Sequence, residues 1–464
     1  MSEAAFWLLT CLSMGAIILI KKILHYYNSL TFLFFIFFVL YGLSGPAAAL
    51  YGTGIPTVFS KPYLVDEFLL GYALALSGFC IGVATAAMGY LRISHQRLPN
   101  SPWYLPSKLT WHYEAKPLIY MGWFFAVLAT GMELVNLWRG GGVNALLLGK
   151  AYYQGVVSDL LGTLPSGELL QLSAASLSLG IASSIRNIKR HRLPLSVFGV
   201  WLLCSLPLLT FYVILGERSI LLVVVVILLL GTFYLRVIHH VPRRIWMGTV
   251  ILYVLAAMLY GVRGELGWVL QTGDTQILRA RLMTGEFWAQ VLNPAHNEFG
   301  APFGNFNTYR LLAREEPLYW GTTYLVGLTT FIPRFVWPDK PISITYEFRN
   351  RFFSEWEQRS AIAGTAFSSI LEAFMNFGYL GIAPIYALIG VLLTALEGYR
   401  IRSTSLWGAF FYLLLAEFVI RFHRSSLGFP IFWPMILASI GTMAYWFVIS
   451  FFTYSVPKRI QYGS

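Results

Sequence analysis

The sequence predicts an all-α, polytopic membrane protein with about eleven transmembrane helices and one large extracytoplasmic loop. Three observations carry this expectation. The composition is 57% hydrophobic and only 12% charged, with a mean hydropathy of +0.64, which does not suit a soluble surface. Apolar runs long enough to cross a bilayer core of roughly 30 Å recur along the chain. Between them, lysine and arginine cluster on alternate loops.

In chain order the expected spans are 4–20, 30–50, 67–91, 117–138, 168–185, 194–215, 219–235, 245–262, 376–396, 405–421 and 430–453. The first is read as a retained span, because Lys21 and Lys22 follow its apolar run and no small-residue cleavage site appears. The cationic loops hold Lys21 and Lys22, Arg92 to Lys116, Arg186 to Arg192, Arg236 to Arg244, Arg400 and Arg402, and Lys458 and Arg459, with only Glu114 and Glu397 as acids. The positive-inside rule makes that side cytoplasmic. The N-terminus is therefore expected outside and the C-terminus in the cytoplasm. Three regions follow: 1–262 with spans one to eight, 263–365 as the outer loop, and 366–464 with spans nine to eleven.

Topology also accounts for the net charge of +12, so nucleic acid is not an expected partner. Cys11, Cys80 and Cys204 lie inside apolar runs without CxxC spacing, which indicates neither a disulfide framework nor a zinc site. Neither a Walker loop nor a GxGxxG on a βαβ unit occurs. No metal and no cofactor is expected.

Within the loop, Tyr324–Ile332 is apolar but too short to span, and Pro333, Pro338 and Pro341 interrupt helix after it. It is expected to lie at the interface or to re-enter the membrane, with Trp320, Phe335 and Trp337 at headgroup level. Phe348, Phe352 and Trp356 then recur every four residues, with Glu347–Arg351 and Glu355–Arg359 as i,i+4 pairs. This predicts an amphipathic helix whose aromatic stripe either packs on the bundle or meets lipid or sugar.

Arginine at the outer end of a span runs against the topology signal. Arg139, Arg218, Arg263, Arg421 and Arg424 all stand there, so the outer mouth of the bundle should be basic. A guanidinium presents forked donors that match phosphate oxygens and keeps its charge when partly desolvated, which suits a diphosphate. The alternative is snorkelling to headgroups, or pairing with Glu217, Glu265 and Glu417. Acid–base candidates on the same side are Glu265, His296 with Glu298, and Glu372. A lone His or Glu in a loop is more often structural. Asp66 and Glu67 form an acidic pair in the first outer loop, a position that also favours the helix dipole.

Phe331-Ile-Pro-Arg-Phe-Val-Trp-Pro-Asp-Lys-Pro341 resembles the "IPxxLWPxKP" stretch of Wzy-type O-antigen and enterobacterial-common-antigen polymerases, the oligosaccharide repeat-unit polymerase group. Three more pieces fit in order. Leu215-Gly-Glu-Arg218 resembles the family's Gly-x-Arg start of a span, Leu371-Glu-Ala-Phe-Met-Asn-Phe-Gly378 its "E-x-x-x-N-F-G" stretch, and Arg424-Ser-Ser-Leu427 its arginine after the penultimate span. They cover the C-terminal half, while the first 200 residues match in hydropathy alone. The resemblance places Arg334 among the phosphate contacts and carries nothing to Arg421 or His423. It implies a membrane-embedded, GT-C-like glycosyltransferase of a bacterial inner membrane. Its donor and acceptor would be undecaprenyl-diphosphate-linked oligosaccharides, with membrane lipids around it and a chain-length regulator and a flippase as partner proteins. Rival readings are an O-antigen ligase, a transporter or lipid flippase, and a noncatalytic partner of a synthase. Broken helices and mid-membrane charges, the marks of a transporter, are not expected from the sequence.

Overall fold

In a computed structural model the chain is all-helical among the residues that the structure describes. These are 2–24, 30–51, 61–95, 113–142, 165–188, 195–214, 218–234, 272–285, 287–288, 299–313, 315–329, 344–352, 367–402, 405–424 and 432–455, with single positions 258, 262, 269, 337 and 341. Seven helices come first: α1 Ser2–Leu24, α2 Leu30–Leu50, α3 Pro62–His95, α4 Ala115–Arg139, α5 Ser166–Ile188, α6 Leu195–Ile214 and α7 Arg218–Tyr234. Four short ones follow in the loop: α8 Gln276–Leu282, α9 Ala301–Leu312, α10 Thr322–Leu328 and α11 Ile344–Phe352. Then come α12 Ser369–Arg402, α13 Leu406–Arg421 with a 3-10 turn Phe422–Arg424, and α14 Phe432–Ser455.

Eight of the described helices are long and apolar enough to cross a membrane, and the chain is a multi-pass membrane protein. Ten of the eleven expected spans coincide with helices; α7 and α13 are apolar but shorter, at 17 and 16 residues. The eighth, 245–262, lies almost wholly outside the described residues.

Glycine sets how closely the helices approach. A side chain at Gly78 or Gly82 of α3 would meet the carbonyl oxygen of Ala383 or Ala387 at 2.1 and 2.0 Å, and one at Gly390 would meet Phe79 O at 2.6 Å. Rising residue numbers on both helices make this a parallel pair, packed through small residues four apart as membrane helices pack. The α4–α5 pair is antiparallel: Gly122 lies against Leu177 and Gly180 against Ile119, and Ser173 Oγ donates to Gly122 O at 2.6 Å.

α12 is two helices, not one. Gly378 has φ 65° and ψ −161°, a conformation essentially confined to glycine. The chain reverses there. Ser369 Oγ and Tyr386 Oη are 2.7 Å apart, whereas an unbroken helix would separate residues seventeen apart by about 25 Å. Ile370 and Ile382 also converge on Gly71. The spanning part of the expected ninth span is therefore 379–402, and 369–377 is a half-helix folded back into the bundle. This corrects the expectation that broken helices would be missing, and places the carboxylate of Glu372 in the interior.

The loop helices pack on one end of the bundle, here termed the loop end. Phe303 of α9 fills the space left by Gly45 of α2, where a side chain would collide at 2.3 Å, and edges onto Phe68 of α3. Arg310 grips Glu67 of α3 with two bonds of 2.6 and 2.8 Å and lies over the Phe374 ring. The aromatic stripe of α11 packs within this assembly: Phe348 meets Phe367, and Phe352 meets Tyr309. Arg351 pairs with Glu316, and Glu347 accepts from the Tyr319 hydroxyl at 3.2 Å. Trp356, Glu355, Arg359, Phe335 and the prolines Pro333 and Pro338 lie outside the described residues.

At the opposite end, Glu397 accepts from Leu30 N, Tyr412 Oη and Arg400 Nε at 2.7, 2.6 and 2.9 Å. Arg400, counted above among loop charges, is buried in this ion pair. The positive-inside signal rests on the remaining cationic loops.

Candidate functional site

The half-helix 369–377 organises the loop end. Its N-terminus is buried, so its free amides need a partner inside the protein. Ser368 supplies it, its Oγ accepting from Ile370 N and Leu371 N at 3.2 and 3.4 Å. At the other end, Tyr319 N and Trp320 N donate to Met375 O and Asn376 O at 3.0 and 3.1 Å. The turn that delivers these amides has Trp320 at φ 48° and Gly321 at φ 87°.

Asn376 locks the turn to the half-helix. Its Oδ1 accepts from Gly321 N at 2.8 Å, while its Nδ2 donates to Thr323 Oγ1 at 2.7 Å and Glu372 O at 2.8 Å. Thr323 Oγ1 in turn donates to Glu372 Oε1 at 2.8 Å, and Tyr324 stacks on Phe377. The "E-x-x-x-N-F-G" stretch thus has a geometric meaning. Glu372 and Asn376 receive the loop, Phe377 supports α10, and Gly378 reverses the chain.

Glu372 is the one acid–base candidate among the described residues, and it is fully buried. Deeper in the bundle, the Ser369–Tyr386 hydroxyl pair is followed by a second, Tyr72 with Ser13 at 2.8 Å. In the loop, burial and then Glu347 push Tyr319 up to about 12. Tyr324 is raised by burial first, then by Glu372 and Tyr386.

A second polar group surrounds the start of α5. Glu133 accepts from Ser166 Oγ and, at 3.2 Å, from Asn136 Nδ2; the Ser166 and Tyr212 hydroxyls lie 3.0 Å apart. Arg421 pairs with Glu417 at 3.1 Å, and Glu168 stands in the field of Glu417, Arg421 and Glu133. Gly167 lies against Ile220, so α7 also begins here, with Arg218 as its first residue. Arg424 closes the 3-10 turn three residues beyond Arg421. Between them His423 is buried, its Nε2 3.0 Å from Phe34 O.

Of the arginine set, the backbones of Arg218 and Arg421 thus lie beside the start of α5, and Arg424 follows three residues beyond Arg421. The side chains of Arg218 and Arg424 lie outside the described residues, as do Arg263, Arg334, Glu265, His296 and Glu298 altogether. Arg139 ends α4. Glu67 is committed to Arg310, and Asp66 beside it is half-buried. Among the described residues no group of three His, Cys, Asp or Glu is placed to hold a metal ion. Sequence reasoning missed Thr323, Arg310 and the 319–321 turn. The Trp320-Gly321 pair, bulky residue then glycine, was the one local signal for the turn.

Fold and site define a polytopic helical membrane protein whose loop end is organised by a re-entrant half-helix. Among protein-family models, curated proteins and solved structures, none matches this chain.

Proposed function

We propose that the chain is a membrane glycosyltransferase. It polymerises undecaprenyl-diphosphate-linked oligosaccharide repeat units into a surface polysaccharide on the outer face of the inner membrane, with the loop end extracytoplasmic. The observation that supports this reading is that Arg218, as the first residue of α7, and Arg421, paired with Glu417, both stand beside the start of α5, from parts of the chain some 200 residues apart, with Arg424 three residues beyond Arg421. A hydroxyl of one lipid-linked unit attacks the anomeric carbon of another. The new glycosidic bond forms as the bond to the diphosphate breaks, and the diphosphate leaves with the electron pair. Fixed guanidinium groups stabilise that charge.

Arg421 already pairs with Glu417 and lies in the field of Glu168, so its surroundings oppose an anion. Arg218 and Arg424, with Arg263 and Arg334, are the better diphosphate contacts. The hydroxyl's proton goes to a base among Glu265, His296 and Glu372. The buried seat of Glu372 suits it also to holding the loop in place.

The test is a comparison of alanine variants. Arg218→Ala and Arg424→Ala should abolish polymer at normal protein abundance, with lysine rescuing poorly because it lacks the fork. Arg421→Ala leaves Glu417 uncompensated at a cost of about 3 kcal/mol, and should instead lower abundance. Full polymerisation by both Arg218→Ala and Arg424→Ala would sink the site. Activity lost to EDTA and restored by a divalent ion would assign the charge to a metal.

One observation favours a second reading. A half-helix broken at Gly378, with a buried carboxylate, is a device of transporters. Gene deletion separates the possibilities. Polymerase loss leaves single-repeat glycan at the surface, ligase loss removes all attached glycan, and flippase loss strands lipid-linked units on the cytoplasmic leaflet.

A further inference from the structure

Among the described residues Trp320 is the one non-glycine with positive φ, at 48°, and its ring is 73% exposed. A bulky side chain in the left-handed region is strained, so what the ring meets outside the protein has to account for it. Leu325, five residues on in α10, is 62% exposed. Residues 319–328 carry no charge. The hydroxyls of Thr322 and Thr329 donate to the carbonyls of Tyr319 and Val326 at 2.8 and 2.7 Å, so this apolar surface does not depend on water.

Phe377 fixes the level of the surface. A side chain at Gly321 would meet the tip of the Phe377 ring at 3.3 Å, and one at Gly381 would meet its Cβ at 2.2 Å. The 319–321 turn therefore lies one phenyl ring away from the first turn of the spanning segment 379–402. That segment exposes Leu380, Pro384, Leu388 and Leu392 along one side, four residues apart, which is its lipid face. Leu380, at the loop end of the stripe, is 90% exposed.

We propose that Trp320 and Leu325 continue this lipid face as an interfacial anchor, with α10 lying on the membrane surface at the loop end and phospholipid as its partner. Indole and leucine side chains suit the boundary between headgroups and acyl chains. Of the two placements expected for this stretch, interface and re-entry, the anchor is the first. It is tied inward, because Thr323 bonds to both Glu372 and Asn376, so lipid contact and the seat of the half-helix belong to one assembly. The anchor depends neither on the polymerase reading nor on which leaflet the loop end meets.

The experiment uses the full chain in nanodiscs of phosphatidylcholine and phosphatidylglycerol, with Cys11, Cys80 and Cys204 replaced and a nitroxide on one introduced cysteine. Leu380→Cys is the lipid reference, and Glu315→Cys, exposed and close by in the chain, is the water reference. Oxygen concentrates in lipid and a nickel chelate in water, so their collision rates with the label report its depth. At Leu325→Cys oxygen should dominate as it does at Leu380→Cys, and Glu315→Cys should show the reverse. Trp320→Gly, which removes both the ring and the strain, should shift the Leu325 label toward water. A Leu325 label that nickel reaches as freely as at Glu315 overturns the anchor. One shielded from both reagents overturns it as well, because a protein surface, from a partner or a second copy, then covers α10. A label unmoved by Trp320→Gly overturns the role of Trp320.

Discussion

Asn376 joins the half-helix, the 319–321 turn and α10 through three hydrogen bonds from one buried amide. Asn376→Leu keeps the volume but strands Gly321 N, and is expected to cost about 1–3 kcal/mol. Thermal melting in detergent reads this as a lower transition temperature. Asn307 should behave in the opposite way. It is fully buried on α9, and neither amide atom has a partner. Asn307→Leu should therefore leave the melting temperature unchanged or raise it, and a clear fall would show that an ordered water satisfies the amide. Sequence treated the two asparagines unequally. Asn376 was visible as part of a motif, whereas Asn307 looked like any polar residue in a loop, because burial by α2 and α3 is a tertiary event.

Between elements, hydropathy was informative where a helix simply crosses. The expected 30–50 matches α2 residue for residue, since an uncharged run of bilayer length has one good solution in lipid. It was uninformative where the chain turns back. The half-helix reads as the outer approach to the ninth span, and the reversal depends on one dihedral pair at Gly378, to which an average over twenty residues is blind. The arginines were legible as a set for the converse reason: charge at the wrong end of a span is a local violation that needs no fold to notice. Their pairing was legible only as an alternative, with Glu417 among three carboxylates offered, and the i,i+4 spacing on α13 selects it for Arg421. Gly378→Ala isolates the reversal. A methyl there meets nothing within 4 Å, so the penalty is backbone strain alone, about 1–3 kcal/mol. The variant should insert normally, melt earlier and lose the Trp320–Asn376 latch, read as faster amide exchange at Tyr319 to Gly321. Unchanged exchange would mean that the turn is held by the loop rather than by the half-helix.

At the scale of the whole molecule, the helix directions require the loop end to face one side of the membrane but leave open which side. α3 and 379–402 run parallel while α4 and α5 run antiparallel, as an alternating path demands. The charges give the expectation. Removing Arg400 from the count, because it is buried against Glu397, still leaves five cationic loops together with Arg402, which the positive-inside rule predicts on the side away from the long loop. A thiol label tests the choice. Met283, at the end of α8, is 78% exposed and makes a better reporter than Thr308, which is half-buried and bonds back to Gly304 O. With Cys11, Cys80 and Cys204 replaced, Met283→Cys should react with a membrane-impermeant maleimide in intact spheroplasts. A cysteine at Lys458, near the C-terminus, should react only after lysis. Reversal of the two would place the loop in the cytoplasm, away from undecaprenyl-linked chains on the outer leaflet, and the polymerase reading would fall with it.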